Sequence, residues 1–417
     1  MTLPTPERRA PSLFDQAAKV FDGWTDPDTG RRVLRIRTRG QADEGRLWTT
    51  QYHQFKCFLD GGRKVLLQRR GRSCKGDPSC VLLDLATGEE EYPFPPGCGA
   101  GEVCDGTYMA SLLAGDGDDY RVMLWDMRAG RELASIHSQG WTHNAVNFLS
   151  DGRRALVFHH RGKPYGEPVQ SRHWLLAPGE APRIAMEADG YFCSHVVGCP
   201  TDPDLYAYDR WPSPKRDVPQ AIHIRTLDGR FEEPMRMTAD TLCPGDMWGA
   251  RDHYVWTPDS KYIVSYLCPH PIDMGPDFNH FKLEWWLSVT DWRTGVDLAA
   301  KYPPGRWGGH MQVSPDSRYI VCGGGPGFDK LFAVSVEGLR EGWNEHVICS
   351  YPKTVSTGKN SGPFTYPFVL PDQSGVIFNA GWPGPEHGVY LAQWPAELSG
   401  GRKAIALRKP ENLNPTG

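Results

Sequence analysis

The stretches HYVWTPDSKYIV at 253–264 and HMQVSPDSRYIVCGG at 310–324 decide the fold of this chain, because they are two copies of one unit. Each copy begins with a histidine and runs through a short apolar segment to a Pro-Asp turn. A run of β-branched and aromatic residues then follows the turn. Two such runs on either side of a tight turn predict a β-hairpin, and their recurrence predicts a repeat architecture.

The unit recurs along most of the chain, with a turn residue roughly every 45 to 57 positions. The turn residues are Asp60, Asp105, Asp151, Asp202, Asp259, Asp316 and Asp372. A further short apolar segment follows most units, as in CVLLDLATG at 80–88. This spacing predicts an all-β fold, a seven-bladed β-propeller of four-stranded antiparallel blades. The strand RVLRIR at 32–37 is predicted to complete the last blade and close the ring.

Composition supports this prediction. The 46 glycines, 36 prolines and 15 tryptophans suit many short strands separated by turns, and a helical pattern is confined to PSLFDQAAKVFDGW at 11–24. We expect residues 1–24 to form an N-terminal extension with a short helix, 25–400 a single propeller, and 401–417 a C-terminal tail. The unit near 103–126 is the weakest match, since it has no histidine before its turn.

Charge and cysteine content limit the classes of partner. The net charge is −4 and no run of like charge occurs, so nothing in the overall charge predicts a nucleic acid or an anionic membrane as a partner. No apolar run approaches the length of a transmembrane helix. The 11 cysteines are odd in number, and several lie inside predicted strands as small apolar residues. A reduced, cytoplasmic protein is the expectation.

A histidine precedes the turn in five of the units. These residues are His53, His143, His195, His253 and His310, and Tyr366 takes the same place in the last unit. In a propeller the first strand of each blade lines the central channel, so the six rings are expected to meet at one mouth of it. Imidazole suits metal binding, acid or base catalysis, and plain hydrogen bonding to carboxylates or hydroxyls. The spacing of the histidines is compatible with all three roles.

The loops between the second and third strands are predicted to open on the same face as the histidines. They are long, at 69–79, 159–172, 209–220, 267–284 and 323–330. They carry cationic and aromatic side chains, among them Arg161, Arg210, Trp211 and Arg216. On a net acidic chain, a cationic and aromatic rim around histidines predicts an anionic ligand with flat apolar faces, such as an acidic sugar.

Four stretches together resemble the blades of a known enzyme family. QFKCFLDGGRKVLL at 54–67, SHVVGCPTDPDLYAY at 194–208 and the two stretches quoted first resemble blades of oligogalacturonate lyases. The resemblance extends over most of 25–395 as separate motifs. It implies a seven-bladed propeller enzyme, a carbon-oxygen lyase that cleaves short pectic uronides by β-elimination.

The resemblance also implies roles for individual residues. His253 matches the position of the family's proposed general base, and His310 that of one metal-binding histidine. The family's other metal ligands are two histidines and a glutamine, and Phe364, Tyr366 and Ser361 stand in their places. A divalent metal such as Mn, Zn or Ca is therefore implied by the family, whereas these substitutions indicate a metal site that is absent or rebuilt from other histidines.

A substrate-binding arginine of the family is also replaced. The matching position is Ala221, and Arg210 or Arg216 in the preceding loop is expected to reach the same space. These departures imply a relative with an altered substrate. Propeller lyases that act on other uronides, such as ulvan, use His, Tyr and Arg without a catalytic metal, and this chain resembles them in the residue types it offers.

The hypothesis for the site is an elimination at C5 of a uronate. Arg210 neutralises the carboxylate, His253 or His195 is the base, and Tyr191 or His143 is the acid. His310 and His53 position sugar or metal. The remaining substrate-binding candidates are Arg161, Trp211, Arg216 and Tyr366.

Two other classes of function remain open from the sequence. One is a non-catalytic interaction or carbohydrate-binding platform, because LLDLATG at 82–88 and MLWDMRAG at 123–130 resemble strand endings of WD-type repeats. The other is a different metal-dependent enzyme on the same scaffold, such as a hydrolase, a lactonase or a copper protein. A fold alone does not separate these functions.

Overall fold

A computed structural model describes most of the chain. The described residues are 10–37, 47–51, 54–70, 80–94, 98–104, 108–114, 120–138, 140–162, 168–212, 221–235, 251–267, 285–303, 310–323, 329–351, 365–380 and 387–399. They form thirty strands in seven antiparallel sheets that follow one another along the chain.

The first three sheets come from the N-terminal half of the chain. Sheet 1 contains β3 (Leu47–Thr49), β4 (Phe58–Leu59), β5 (Lys64–Arg70), β6 (Cys80–Asp84) and β7 (Glu90–Glu91). Sheet 2 contains β8 (Cys98–Cys104), β9 (Tyr108–Ala114), β10 (Tyr120–Asp126) and β11 (Arg131–His137). Sheet 3 contains β12 (Thr142–Phe148), β13 (Ala155–Arg161), β14 (Gln170–Leu176) and β15 (Arg183–Asp189).

The next three sheets repeat this order. Sheet 4 contains β16 (Tyr191–Gly198), β17 (Leu205–Pro212), β18 (Ala221–Thr226) and β19 (Glu232–Pro234). Sheet 5 contains β20 (Arg251–Trp256), β21 (Tyr262–Leu267), β22 (Trp286–Asp291) and β23 (Asp297–Lys301). Sheet 6 contains β24 (His310–Val313), β25 (Tyr319–Gly323), β26 (Lys330–Ser335) and β27 (Glu345–Ser350).

Sheet 7 joins the two ends of the chain. Its strands are β28 (Phe368–Val369), β29 (Gly375–Ala380), β30 (Gly388–Gln393), β2 (Arg32–Ile36) and β1 (Gly23–Thr25), in that order across the sheet. β2 pairs antiparallel with β30, from Val33 opposite Ala392 to Ile36 opposite Val389. The predicted closure by 32–37 is therefore confirmed, and the prediction of an all-β propeller with four-stranded antiparallel blades is confirmed with it.

The core lies between neighbouring sheets. In one cluster, Ile222 and Ile224 of β18 pack with Tyr254 and Trp256 of β20, and all four are buried. The two sides of this contact come from different repeats, so a single repeat cannot bury its apolar surface alone.

The expected N-terminal helix is short. It is α1 (Leu13–Ala17), capped by Ser12, whose side chain accepts a hydrogen bond from the Asp15 amide. The amides of Leu13 and Phe14 donate to side chains of sheet 7, those of Asp372 and Ser374. Short 3₁₀ turns occur at Asp60–Gly62, Glu337–Glu341 and Ala396–Leu398. Within the described ranges, every helix is too short or too polar to cross a membrane.

Buried polar side chains connect the first strands of different sheets. The Gln54 amide donates to the Tyr254 carbonyl at 2.8 Å, which joins sheet 1 to sheet 5. Asn147 of β12 donates to the Gln54 carbonyl at 3.2 Å and accepts from the Gly198 amide at 2.8 Å. These bonds connect the inner strands β12, β16 and β20 through Gln54, which lies in the turn before β4, and they are maintained because buried polar groups are costly to leave unpaired.

Glu102 of β8 takes part in the same inner layer. Its carboxylate is fully buried and accepts the backbone amides of Lys56 at 2.8 Å and of Phe148, so it links sheets 1, 2 and 3. Burial raises the pKa of Glu102 to about 7, although the nearby Lys56 ammonium and the two backbone donors act in the opposite direction. The thiol of Cys57 also lies close, and its pKa is raised by burial and by Glu102.

We expect Glu102 to make folding stability pH-dependent. Between pH 4.5 and about 7 the folded protein holds a proton that the unfolded chain has released. The free energy of unfolding should therefore fall as pH rises through this window, by about 3 kcal/mol at most, with the loss complete above pH 7. Chemical denaturation of wild type and Glu102→Gln at several pH values would measure it. The contribution should be absent in Glu102→Gln and unchanged in Glu89→Gln, an exposed control; equal pH profiles for wild type and Glu102→Gln would contradict it.

Candidate active site

Four of the rings from the repeated position lie in a row of contacts. The ring centroids of His195 and His253 are 5.2 Å apart, those of His253 and His310 are 4.7 Å apart, and those of His310 and Tyr366 are 4.7 Å apart. The four residues belong to sheets 4, 5, 6 and 7 in succession. They are brought together because each lies in, or just before, the first strand of its sheet.

A β-bulge accompanies the histidines in three sheets. The pairing of the first and second strands shifts register between His143 and Ala145, between Ser194 and Val197, and between Asp252 and Val255. At two of these bulges the histidine adopts a left-handed backbone, with φ of 50° at His195 and 49° at His253. Bulges re-aim side chains near functional sites, and left-handed non-glycine residues are costly enough to be concentrated there.

His195 is held by a buried carboxylate. Its Nδ1 lies 3.3 Å from Oδ2 of Asp209 and 3.2 Å from Oγ of Ser194. The Ser194 hydroxyl lies 2.9 and 3.1 Å from the two oxygens of Asp209. The His195 side chain is 19% exposed, whereas that of Asp209 is fully buried.

His253 has a different partner. Its Nδ1 lies 2.6 Å from the hydroxyl of Tyr266 on β21, and the two rings stack with centroids 5.2 Å apart. Tyr266 is buried against Trp285. His310 and Tyr366 complete the row and are both buried. The row therefore combines two partly exposed imidazoles with a buried imidazole and a buried phenol.

Arg210 and Tyr191 contact each other in sheet 4, the sheet that also contains His195. The Arg210 guanidinium stacks over the Tyr191 ring at 4.0 Å, and its Nη1 lies 3.4 Å from Oε1 of Glu232. Arg210 is directly opposite Ala221 in the β17–β18 pairing. Because paired residues share one face of a sheet, the side chain of Arg210 lies next to the position where the family resemblance places an arginine.

The other substrate-binding candidates lie at the ends of sheets 3 and 4. Trp211 packs against Phe192, with ring centroids 5.1 Å apart. Arg161 is exposed and lies 5.0 Å from the ring of Trp141. His53, Arg216, Ser361 and Phe364 lie outside the described residues, and for His143 only the backbone is described. Most of four of the five predicted rim loops, and residues 163–167 of the loop at 159–172, also lie outside them.

Glu232 organises a polar network that the sequence pattern did not indicate. Besides Arg210, its carboxylate contacts the Tyr208 hydroxyl and the Arg225 guanidinium. Burial would raise the pKa of Glu232, but the hydrogen bond from Tyr208 and the charge of Arg225 outweigh it and hold the pKa below its usual value. Nearby, burial and the charge of Arg210 lower the pKa of His223 to about 4, so this ring is neutral. The network therefore compensates part of the charge of Arg210.

The described residues do not fit the metal site that the family resemblance implies. Within the described ranges, no three His, Cys, Asp or Glu side chains converge in an arrangement that could hold a metal ion. Tyr366 contacts His310 where the resemblance implies a second metal-binding histidine. His195 and His253 both direct Nδ1 at protein partners. We therefore derive no chemical step through a metal.

The fold and this row of rings define the class of protein, a β-propeller with a histidine-rich site on its inner strands. No protein-family model matches the chain, and no curated protein matches it in sequence. Solved structures do match. An oligogalacturonate lyase in complex with manganese is 17% identical, with a TM-score of 0.69, over 91% of this chain and 98% of that one.

Two further structures extend the comparison. Oligogalacturonate lyase from Vibrio parahaemolyticus is 14% identical, with a TM-score of 0.68, over 90% of this chain and 97% of that one. The hydrazine synthase of Kuenenia stuttgartiensis is 11% identical, with a TM-score of 0.51, over 83% and 97%. At identities this low the likeness establishes the fold and not the activity. The resemblance to oligogalacturonate lyases is confirmed at that level.

Proposed function

We propose that this protein is a lyase that cleaves a uronic-acid-containing oligosaccharide or polysaccharide by β-elimination. The observation that carries the proposal is the row of contacting rings from His195 to Tyr366, on a scaffold similar to two oligogalacturonate lyases. The substrate class is an acidic sugar. Two partly exposed histidines and an arginine stacked on an aromatic ring suit a ligand that is both anionic and flat-faced.

The proposed chemistry needs three parts. The proton at C5 becomes removable only when the charge that develops on the adjacent carboxylate is stabilised, and Arg210 supplies a cation for this. A neutral imidazole then removes the proton, with His195 and His253 as the two candidates. The departing O4 finally receives a proton. Tyr191 is the candidate acid, and its contact with Arg210 supports this choice.

The experiment that tests the proposal is a near-ultraviolet absorbance assay for the conjugated unsaturated product. The substrates are oligogalacturonides, ulvan oligomers and glucuronate- or rhamnose-containing glycans, each with and without a chelator. We expect absorbance to rise on at least one uronide, and the paired reactions with chelator show whether that rise depends on a metal. No rise on any of them would reject the lyase proposal, and a rise abolished by chelator would show a metal held by other residues.

A further inference from the structure

A cavity of about 380 Å³ lies between sheets 6 and 7, among residues that do not belong to the candidate active site. Its volume is within the range of sites for small ligands. The lining comes from sheet 7, from the turn after β1 and from the end of β27 in sheet 6, and it includes Trp24, Asp26, Arg35, Ser350, Tyr351 and Tyr390.

Three of the lining residues share one face of sheet 7. Arg35 is paired with Tyr390, and Trp24 is paired with Val33, two residues before Arg35. Paired residues, and residues two apart on a strand, lie on the same face of a sheet. Val33 is buried in a cluster with Ile348 of β27, so this is the face that packs against sheet 6. The cavity therefore lies where an apolar contact between the two sheets gives way to aromatic and charged side chains.

Trp24 is an exposed aromatic side chain beside this cavity. It lies on β1, a fifth strand at the edge of sheet 7 whose three residues are all exposed. The Trp24 side chain is 38% exposed, and its ring meets that of Tyr390 edge to face, with centroids 5.8 Å apart. Tyr390 and Tyr351 are buried. Trp24 therefore supplies most of the aromatic surface that a ligand can reach.

Asp26 is a buried carboxylate in the lining, with a relative exposure of 1%. Its Oδ2 accepts hydrogen bonds from the amides of Thr29 at 3.2 Å and of Ser350 at 3.3 Å. Within the described part of the chain, its Oδ1 is buried and accepts no hydrogen bond. A buried acceptor without a partner is costly, so a ligand that brings a hydroxyl to Asp26 would gain that free energy.

We propose that this cavity is a second binding site, which takes a neutral pyranose residue of a glycan. A pyranose has an apolar C–H face that stacks on an aromatic ring, and its hydroxyls both donate and accept hydrogen bonds. Trp24 supplies the ring, Asp26 an acceptor and Arg35 a donor. The lining carries one carboxylate and one guanidinium, so the formal charges cancel and an anionic sugar is not favoured. The inference does not rest on the proposed lyase function.

A methylated ammonium ion is the other ligand that aromatic rings beside a carboxylate suggest, because cations bind over ring faces. Two features of the lining disfavour it. Tyr351 and Tyr390 are only 6% and 2% exposed, so they present little ring surface to a cation. Arg35 also lines the cavity, and its charge repels a cation. The neutral sugar satisfies both the exposed ring and the mixed charges.

Calorimetric titration with neutral hexasaccharides tests the site apart from any cleavage, because these ligands contain no uronate. The hexasaccharides are those of glucose, xylose, mannose, galactose and rhamnose. We expect at least one to bind, and Trp24→Ala to weaken its affinity by about 10-fold or more, because the stacked surface is lost. Trp24→Phe keeps a ring and should retain most of the affinity. Tyr92→Ala removes an exposed aromatic side chain directly after β7 and should change nothing.

The outcomes separate this site from the active site. Failure of every hexasaccharide to bind, or binding that Trp24→Ala leaves unchanged while circular dichroism shows an intact fold, would overturn the proposal. Binding of choline that Trp24→Ala abolishes, with no sugar bound, would replace the sugar with a cation. Binding of a neutral hexasaccharide without cleavage of any uronide would reject the lyase function and leave this site standing.

Discussion

His195→Asn is expected to lower kcat/KM on a cleaved uronide by about 10²- to 10⁴-fold, the usual contribution of a general base. Asn is chosen because it tolerates a left-handed backbone better than most residues, and His195 has φ of 50°. The substitution also keeps a polar group near Asp209 and Ser194. The loss should therefore reflect the missing base rather than a rearranged strand. The absorbance assay measures it, and circular dichroism checks the fold.

The matched variants separate His195 from its neighbour. His253→Asn replaces the second candidate base, whose Nδ1 faces a tyrosine hydroxyl and not a carboxylate, and we expect a loss of only about 10-fold, the size of one hydrogen bond. His346→Asn, on the outer strand β27 and packed against Tyr319, should leave activity unchanged. If His253→Asn abolished turnover and His195→Asn did not, the base would be at the position that the family resemblance implies.

Leu34→Ala is expected to lower the free energy of unfolding by about 2 to 5 kcal/mol, the usual range for a buried leucine. Leu34 is fully buried in β2, opposite Leu391 of β30, and belongs to a core cluster that contains residues of both sheet 7 and sheet 1. Since domains are stable by only about 5 to 15 kcal/mol, this is a large part of the total. The measurement is denaturant unfolding followed by tryptophan fluorescence.

Leu133→Ala is the matched control. Leu133 lies on β11, the outer strand of sheet 2, and is only partly buried. The same change of side chain there leaves less of a cavity and should be less destabilising. If both variants were destabilised equally, closure of the ring by β2 would contribute no more than any other apolar contact.

Much of the fold could be predicted because the repeat is written into local sequence. Turn residues such as Asp259 and Asp316 accept hydrogen bonds from neighbours two residues away, so the signal for each hairpin lies within a few positions. The repeat near 103–126 is the weakest match because it has no histidine before its turn; its first strand contributes the buried Glu102 to the inner layer. Its carboxylate bonds to the sheets on either side, and no local pattern reveals this.

The site was predictable only in part. The equivalent positions of His195, His253 and His310 followed from the repeat, and the rings do contact one another. The network around Glu232 could not be predicted from the repeat, because Tyr208 and Arg225 contact Glu232 from two other strands of sheet 4. The spacing of the histidines also did not show whether each ring is a catalytic base, a hydrogen-bond donor or a metal ligand.

The sequence by itself determined that the chain repeats a strand-turn-strand unit and that a histidine or tyrosine recurs at one place in it. Radial packing of similar units then brings those rings together. Only the tertiary structure decided what each ring faces. Asp209 and Tyr266 belong to second strands, 14 and 13 residues after their histidines, and the β-bulges set which side chains turn towards them. Pairing register and bulges depend on contacts between strands, which local sequence does not contain. Asp209 and Tyr266 therefore distinguish two histidines that are equivalent in the repeat.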